Sequence, residues 1–206
     1  MRKIHAQEPK KTVIAVDGYP GSGSEEAARA LAKRLGLPCY GRDEQLDEAS
    51  RLSGIERRVL DKYAERNLYA AYDLAAEDCD KLRLPSAVRL VRAKLMAIIS
   101  LARGGPCVFA GGHASVALPP EYGAVRIFVG ADGAGRAKAL GGTERELARA
   151  DKRLRSYYRQ FNRAWGAPPF YDLDADAAYL GGEDAMARIA ELFTKEAKEA
   201  KEEGAS

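Results

Sequence analysis

The stretch VDGYPGSGSEEAARALA, Val16–Ala32, joins an apolar run to a helical one through a glycine-rich turn. Gly18 and Gly23 stand at the spacing of the phosphate-binding pattern G-x-x-x-x-G-K-[ST]. The positions that pattern reserves for Lys and then Ser or Thr carry Ser24 and Glu25. Backbone N–H groups of such a turn, with the positive end of the following helix, make an anion site without any side chain. Gly18, Gly21, Ser22, Gly23 and Ser24 are therefore candidate phosphate-binding residues. A second reading is equally concrete. Ser22-x-x-Glu25 fits a capping box, and Glu25 and Glu26 in the first turn favour the helix dipole by about 0.3–1 kcal/mol each. On that reading the turn is a tight connection capped by its own acids.

Outward from the turn, strands and helices alternate. TVIAV (Thr12–Val16) reads as a strand buried on both faces, and Ser22–Leu35 as a helix. Ala27, Ala28, Leu31, Ala32 and Leu35 share one face of that helix, and Gly36 ends it. LPCY (Leu37–Tyr40) predicts a second strand, followed by a polar helix from about Asp43 to Leu52. Ile55–Ala75 reads as charged helix, and Pro85-Ser86 opens another with apolar Leu90, Leu95, Ile98 and Ile99. PCVFAGG and AVRIFVG are two further buried strands. An Arg-rich helical stretch, Thr143–Arg163, precedes a loop with Trp165, Pro168 and Pro169; a last strand is expected near Ala177–Leu180 and a helix over Glu183–Phe193. The pattern predicts an α/β fold: a parallel sheet of about five strands with helices on both faces. Residues 1–11 read as a flexible N-terminus, 12–193 as one domain with a lid at about 142–165, and 194–206 as a charged tail. Ligands of such sheets bind at the carboxyl ends of the strands. That edge gathers the Gly18–Ser24 turn, Gly111–Gly112–His113 and Gly130–Asp132.

Composition narrows the partners. With 206 residues, 46% hydrophobic and 31% charged, the chain is long enough for a sizeable core and too apolar to be disordered. A net charge of +3 gives no argument for nucleic acid, and no apolar run approaches the roughly 20 residues of a membrane span. The basic N-terminus lacks the apolar segment of a secretory signal. Cys39, Cys79 and Cys107 form neither a metal pattern nor a disulfide framework, so a reducing cytoplasm is expected.

With the strands placed, the chain resembles the cytidylate kinase-like family of P-loop nucleoside monophosphate kinases over about Thr12–Phe193. PGSGSEEAARALAKRLGLPCYGRD is similar to the family's glycine turn, helix and second strand. ISLARGGPCVFAGGHASVAL is similar to its GPCVIVGRGA segment. The most specific piece is RADKRLRSYYRQFNRAWGAPPFYDLDAD, where Asp151, Lys152, Arg153, Tyr157, Tyr158, Trp165, Gly166, Tyr171, Asp172 and Leu173 follow a lid-and-return motif. The resemblance implies a P-loop NTPase-like three-layer sandwich with a helical lid, ATP and Mg as cofactors, and a nucleotide or other phosphate-bearing small molecule as partner. Nucleic acid and membrane partners are not expected, and a protein partner or self-association stays open.

The departures from the family pattern all touch chemistry. Active relatives carry DGPSGAGKGT after the first strand; here Asp17 and Gly18 match but Ser24 replaces the Lys. Their third strand ends in DGR, and here Ala110-Gly111-Gly112 loses the carboxylate and the guanidinium. Replacement cations are Arg42 on the monophosphate side and the lid set Arg149, Lys152, Arg153, Arg155 and Arg159. Arg149 and Arg153, in line with Arg145, are the catalytic candidates; the alternative is a solvated helix face paired with Glu144, Glu146 and Asp151. Asp17 is the best remaining magnesium carboxylate, with Asp132 second, and Asp17 counts among the catalytic candidates; the metal itself is not specified. His113 is a ligand candidate at the active edge, against a structural role. Tyr157 and Tyr158 either stack on a base or pack, and Trp165 anchors the return loop. Three functions follow: an ATP-dependent monophosphate kinase, a family member that binds nucleotide or phosphate without turnover, and a fold kept for a protein partner.

Overall fold

The computed structural model describes residues 13–63, 87–119, 122–159, 165–167, 170–180 and 182–192. The N-terminus, the tail 194–206, Cys79, Pro168, Pro169, Arg163 and part of the expected helix over Ile55–Ala75 lie outside these residues.

The first strand, β1 (Val13–Gly18), is flanked on both sides in a five-stranded sheet of order β2-β3-β1-β4-β5. Its neighbours are β3 (Cys107–Ala110) and β4 (Val125–Val129), with β2 (Cys39–Tyr40) and β5 (Leu173–Ala175) at the edges. Every pairing is parallel, with Val16 opposite Ala110 on one side and Ile127 on the other. The strand alternation sorts the core. Ile14 and Val16 pack with Leu31, Val108 and Ile127 under α1 (Ser24–Leu35) and the closing helix over residues 183–192. Val13 and Ala15 face the other way, onto Ile98 and Phe109. The result is helix, sheet, helix: an α/β three-layer sandwich whose strands are apolar because both faces are covered.

A further cluster joins α2 (Arg42–Ser53), α3 (Arg57–Tyr63) and α4 (Ala87–Arg103) through Leu46, Ala49, Ile55, Leu60 and Leu90. The loop after β3 leads through α5 (Ala114–Ala117) to β4, then α6 (Gly133–Leu140) and α7 (Glu144–Arg159). Among the described residues no helix is long and apolar enough to cross a membrane.

Three details depart from expectation. The segment Ala177–Leu180, read as the last strand, is a short helix, α8, and the strand lies earlier at Leu173–Ala175. That strand is an edge, so it alternates half-buried Leu173 and Ala175 with exposed Asp174 instead of forming a continuous apolar run. Helix α6 falls in a glycine-rich stretch for which the sequence predicts no element; Asp132 caps it, accepting from Gly135 N at 2.7 Å. Helix α1 begins at Ser24, two residues later than expected, because Gly23 at φ 76 is its N-cap.

Candidate functional site

The loops after β1 and β3 leave adjacent strands at the same edge of the sheet and diverge to α1 and α5. Such a divergence is where open α/β sheets place ligands. Gly111 N donates to Val16 O at 2.8 Å, which ties the two loop bases together. Beyond it lies a cavity of about 200 Å³ lined by Ser24 and Glu25 from α1, Arg42, Gln45 and Leu46 from α2, Lys94 from α4, and Ala110–His113 after β3.

The glycine turn is not closed by its own side chains. Gly21 and Gly23 take left-handed φ values of 79° and 76°. Ser22 N donates to Tyr19 O at 2.9 Å, and no side chain caps α1. The expected capping box is corrected here. Glu25 pairs with Arg29 at 2.8 Å, one turn along the exposed surface, and does not return to the turn. The Ser22 hydroxyl is buried with no hydrogen-bond partner. A Cβ on Gly18 would stand 2.7 Å from that oxygen and 2.8 Å from Ser24 Oγ, so Gly18 is the residue that admits both hydroxyls. A capping box forms elsewhere, where Thr143 N donates to Glu146 Oε2 at 2.8 Å and Glu146 N to Thr143 Oγ1 at 3.3 Å, and at Gly41 its carboxylate half alone is made, Gly41 N donating to Glu44 Oε2 at 2.9 Å.

The far wall is built around missing side chains. At Gly112, φ 72, a Cβ would meet Gln45 Oε1 at 1.8 Å. Gln45 is itself buried and donates from Nε2 to Tyr40 O at 3.0 Å and to Gly111 O at 3.4 Å. The space that the expected arginine would leave through is thus filled by an amide. His113, also left-handed at φ 72, is buried edge-on against Tyr157 with ring centroids 4.0 Å apart. Burial, and then the charges of Lys94 and Arg42, hold its imidazole neutral, well below the usual histidine range. Arg42 reaches Asp61 Oδ1 at 2.8 Å, and Lys94 Nζ sits 5.6 Å from the centroid of the Tyr157 ring.

Asp17 lies at the end of β1 but is turned into the protein. Its Oδ2 accepts from Ser115 Oγ, from Tyr158 OH at 2.7 Å and from Tyr171 OH at 2.9 Å. Burial pushes its carboxyl above the ordinary aspartate value, while those three donors and Arg126 pull it back only in part. The expectation of an open magnesium carboxylate is not met by this geometry. The carboxylate instead fastens β1 to α5, α7 and the return loop. Asp132 is engaged as a helix cap, and among the described residues no group of three or more His, Cys, Asp or Glu could hold a metal ion.

The basic face of α7 is exposed. Arg149, Lys152, Arg153, Arg155 and Arg159 do not line the cavity. The opposite face of α7 is anchored through Leu147, Asp151, Tyr157 and Tyr158. Asp151 accepts Arg136 NH2 at 2.6 Å and NH1 at 3.1 Å. Arg136 also donates from Nε to Pro20 O at 2.9 Å and lies 4.4 Å over the Tyr19 ring. Trp165 packs edge-on to Tyr19 and Phe128, as expected of an anchor.

The sequence reading singled out Arg42 and His113, which the fold brings together, but missed Lys94, Gln45, Ser115 and Arg136. Lys94 did leave a signal. It falls one turn after Leu90 and one turn before Ile98, where an apolar stripe should continue. Arg136 left none, being embedded in a glycine-rich stretch.

Known proteins add to this geometry. A crystal structure of an uncharacterized protein from Eubacterium ventriosum superposes with a TM-score of 0.55 at 19% identity, covering 86% of this chain and 96% of that one. TT1252 from Thermus thermophilus gives 0.50 at 18% identity, over 90% and 99%. Both show the fold. A cytidylate kinase from Pyrobaculum islandicum is 26% identical over 183 residues, 84% of this chain and 88% of its own. The model of the cytidylate kinase-like family matches residues 13–176, most of the chain, and the protein belongs to that family.

Proposed function

We propose that this protein binds a nucleotide or similar phosphate-bearing small molecule between the glycine turn and the β3 loop, and that it transfers phosphate slowly or not at all. The observation that carries the reading is the uncapped start of α1, opening on a cavity that Arg42 and Lys94 also line. Helix N-termini with free N–H groups bind anions, and two cations in the same cavity add to that field. The turn's backbone therefore fits the phosphates of ATP. The donor set fits a protein-held magnesium poorly, because Asp17 is buried and its Oδ2 already accepts from three hydroxyls, so no step is assigned to the metal. Cys39 and Cys107 are free, which supports a cytoplasmic setting.

The weak-transfer part rests on charge. Phosphoryl transfer depends on positioning and on neutralising charge that develops on the transferred group. Ser24, Ala110 and Gly112 supply none of that neutralisation, and the cations of α7 are exposed away from the cavity. An active kinase is the second reading, favoured by the curated cytidylate kinase relative. Its chemistry here would need α7 arginines to enter on ligand binding, as a mobile lid.

Calorimetric titration with ATP and the common nucleoside monophosphates, with and without magnesium, tests binding. A coupled assay on the same panel tests transfer. The expected outcome is measurable binding with turnover far below the roughly 1–100 per second of kinases. Turnover of tens per second on CMP or its deoxy form would show that the replaced residues are dispensable.

A further inference from the structure

Among the described residues four large apolar side chains are exposed: Leu52, Met96, Leu140 and Tyr179. Two of them, Leu52 at 44% and Met96 at 41%, meet in one groove. That groove shares no lining residue with the cavity at the glycine turn. It follows from how α2 and α4 pack. Leu46 and Ala49 of α2 cluster with Leu90, Ala93 and Ala97 of α4. Helix α2 then stops at Gly54, φ 69, and the chain turns back to bury Ile55. Ser50 Oγ donates to Ile55 O at 2.7 Å, Ser53 Oγ to Ala49 O at 2.6 Å, and Ile55 N to Ser53 Oγ at 3.2 Å. These bonds fix the turn and leave Leu52 outside the packed face. Opposite it, α4 presents Arg89, Arg92, Ala93 and Met96 at the i, i+3, i+4, i+7 spacing of a single helix face. The space between the two helices, about 370 Å³, is lined by these four residues with Leu52, Ser53 and Ile55.

The chemistry of the groove is mixed in a definite way. Buried Ile55 and Ala93 form its floor, and exposed Leu52 and Met96 its sides. Its charged lining is two guanidinium groups, Arg89 and Arg92, with no carboxylate. The acids nearest in sequence are turned elsewhere: Glu48 accepts from Arg51 Nε and Nη2 and from Ser100 Oγ, and Glu56 pairs with Arg58. Methionine adapts its shape to apolar partners, and methionine and arginine are both enriched at protein interfaces. Charge and shape then select the occupant. A second copy docked twofold on this face would put the arginines of both copies in one interface, with no carboxylate of the groove to answer them. A bilayer surface is met by protruding apolar side chains, whereas this apolar floor is recessed. A segment with an apolar face and flanking carboxylates satisfies both the floor and the guanidinium groups.

We propose that the groove between α2 and α4 docks an acidic amphipathic peptide segment of a partner protein, its apolar side chains between Leu52 and Met96 and its carboxylates toward Arg89 and Arg92. This is recognition of a helix in a groove, read through anchors three and four residues apart. It does not depend on nucleotide binding, since groove and cavity are lined by different residues.

The test is selection from a random short-peptide display library on the full chain, followed by affinity measurement on synthetic copies of the enriched peptides. The expected peptides are net acidic, with apolar residues at helical spacing. Arg92→Glu and Met96→Asp should each weaken them by about tenfold or more, and Arg92→Lys much less. Raised salt should weaken them too, because exposed charges are screened over about 10 Å at 0.1 M. Both substituted residues are exposed, so the variants should melt with the parent, and thermal scans check this. Enriched peptides that are neutral or basic, or acidic ones that bind both variants as tightly as the parent, would overturn the proposal. So would a library that yields no binder. Sedimentation of the full chain and binding to phosphatidylcholine vesicles containing phosphatidylserine complete the test. Self-association or vesicle binding that Met96→Asp abolishes, in the absence of peptide binding, would give the groove to a second copy or to a lipid surface and overturn the proposal.

Discussion

On the β4 side of β1, Asp17 and Arg136 are each held by several protein groups; on the β3 side, Arg42 and Lys94 line a cavity. Asp17 accepts from three hydroxyls, and Arg136 binds Asp151, Pro20 O and the face of Tyr19 at once. Across β1, Ala110, Gly111 and Gly112 contribute almost no side chain, and Arg42 and Lys94 reach in from α2 and α4. The charged groups on the first side are buried, whereas Arg42 is exposed and Lys94 half-buried on the second. A closed buried network holds loops in place, whereas cations that line an open wall lie within reach of a ligand.

The largest test of that contrast is Arg136→Ala. The pair with Asp151 is buried on both sides, so removing one partner leaves an uncompensated carboxylate and releases Pro20 O. The expected loss is about 3–5 kcal/mol in urea denaturation. Replacing both residues together, Arg136→Met with Asp151→Leu, should recover much of it. A single variant as stable as the parent would mean that the pair is not the clamp between α7 and the glycine turn.

Next in size is Asp17. Asp17→Ala strands three buried hydroxyl donors and should cost about 1–3 kcal/mol. The pH dependence is more telling. Because the folded carboxyl is raised above its ordinary value near 3.8, folding favours the protonated form. Its contribution is full below that value and is lost as pH rises through the raised one. Asp17→Asn, which keeps one acceptor oxygen, should remove this slope from the stability profile. An unchanged profile would show that Asp17 titrates normally and is more open than its hydroxyl shell implies.

The third test is on the cavity side. Gly112→Ala forces a Cβ against Gln45 Oε1 and holds an L-residue at φ 72. The left-handed part should cost about 1–2 kcal/mol. The steric part is relieved by Gln45→Ala, since the contact is with the end of a flexible side chain. Restoring family-like chemistry with Ser24→Lys, Glu25→Gly, Ala110→Asp and Gly112→Arg therefore needs Gln45→Ala as well. A gain of phosphoryl transfer only in the five-fold variant is the expected result, and equal rates with and without Gln45→Ala would remove Gln45 from the account.

The two sides were not equally legible in the sequence. The buried strands announced themselves, since Val13–Val16, Val108–Ala110 and Ile127–Val129 are apolar for the simple reason that both faces are covered. The glycine turn was legible through spacing, and Arg42 and His113 through their place at strand ends. The hub around Asp17 was not. Its donors Ser115, Tyr158 and Tyr171 lie 98, 141 and 154 residues away, and no local periodicity reports such a convergence. The direction of α7 was also hidden. Its spacing showed that arginines share a face, but the burial of Leu147, Asp151, Tyr157 and Tyr158 is what turns that face outward. Edge strand β5 escaped because it is short and alternates, the weakest pattern a strand can have.

The smallest effect distinguishes the two readings of the turn itself. If Glu25 capped α1, Glu25→Ala would cost about 1 kcal/mol or more, as lost caps do. In the structure Glu25 is a half-exposed partner of Arg29, and such pairs are worth about 0.2–1 kcal/mol, those four apart on a helix about 0.3–0.5. The variant should therefore melt almost with the parent. Its effect belongs on the ligand side, because Glu25 lines the cavity and its charge opposes an anion there. Phosphate affinity should rise by less than tenfold, more at low salt than at high, since solvent and counter-ions screen an exposed carboxylate over about 10 Å at 0.1 M. Calorimetry at two salt concentrations measures both parts. A large stability loss without gain in affinity would restore the self-capped turn and remove the anion site from the β3 side of the sheet.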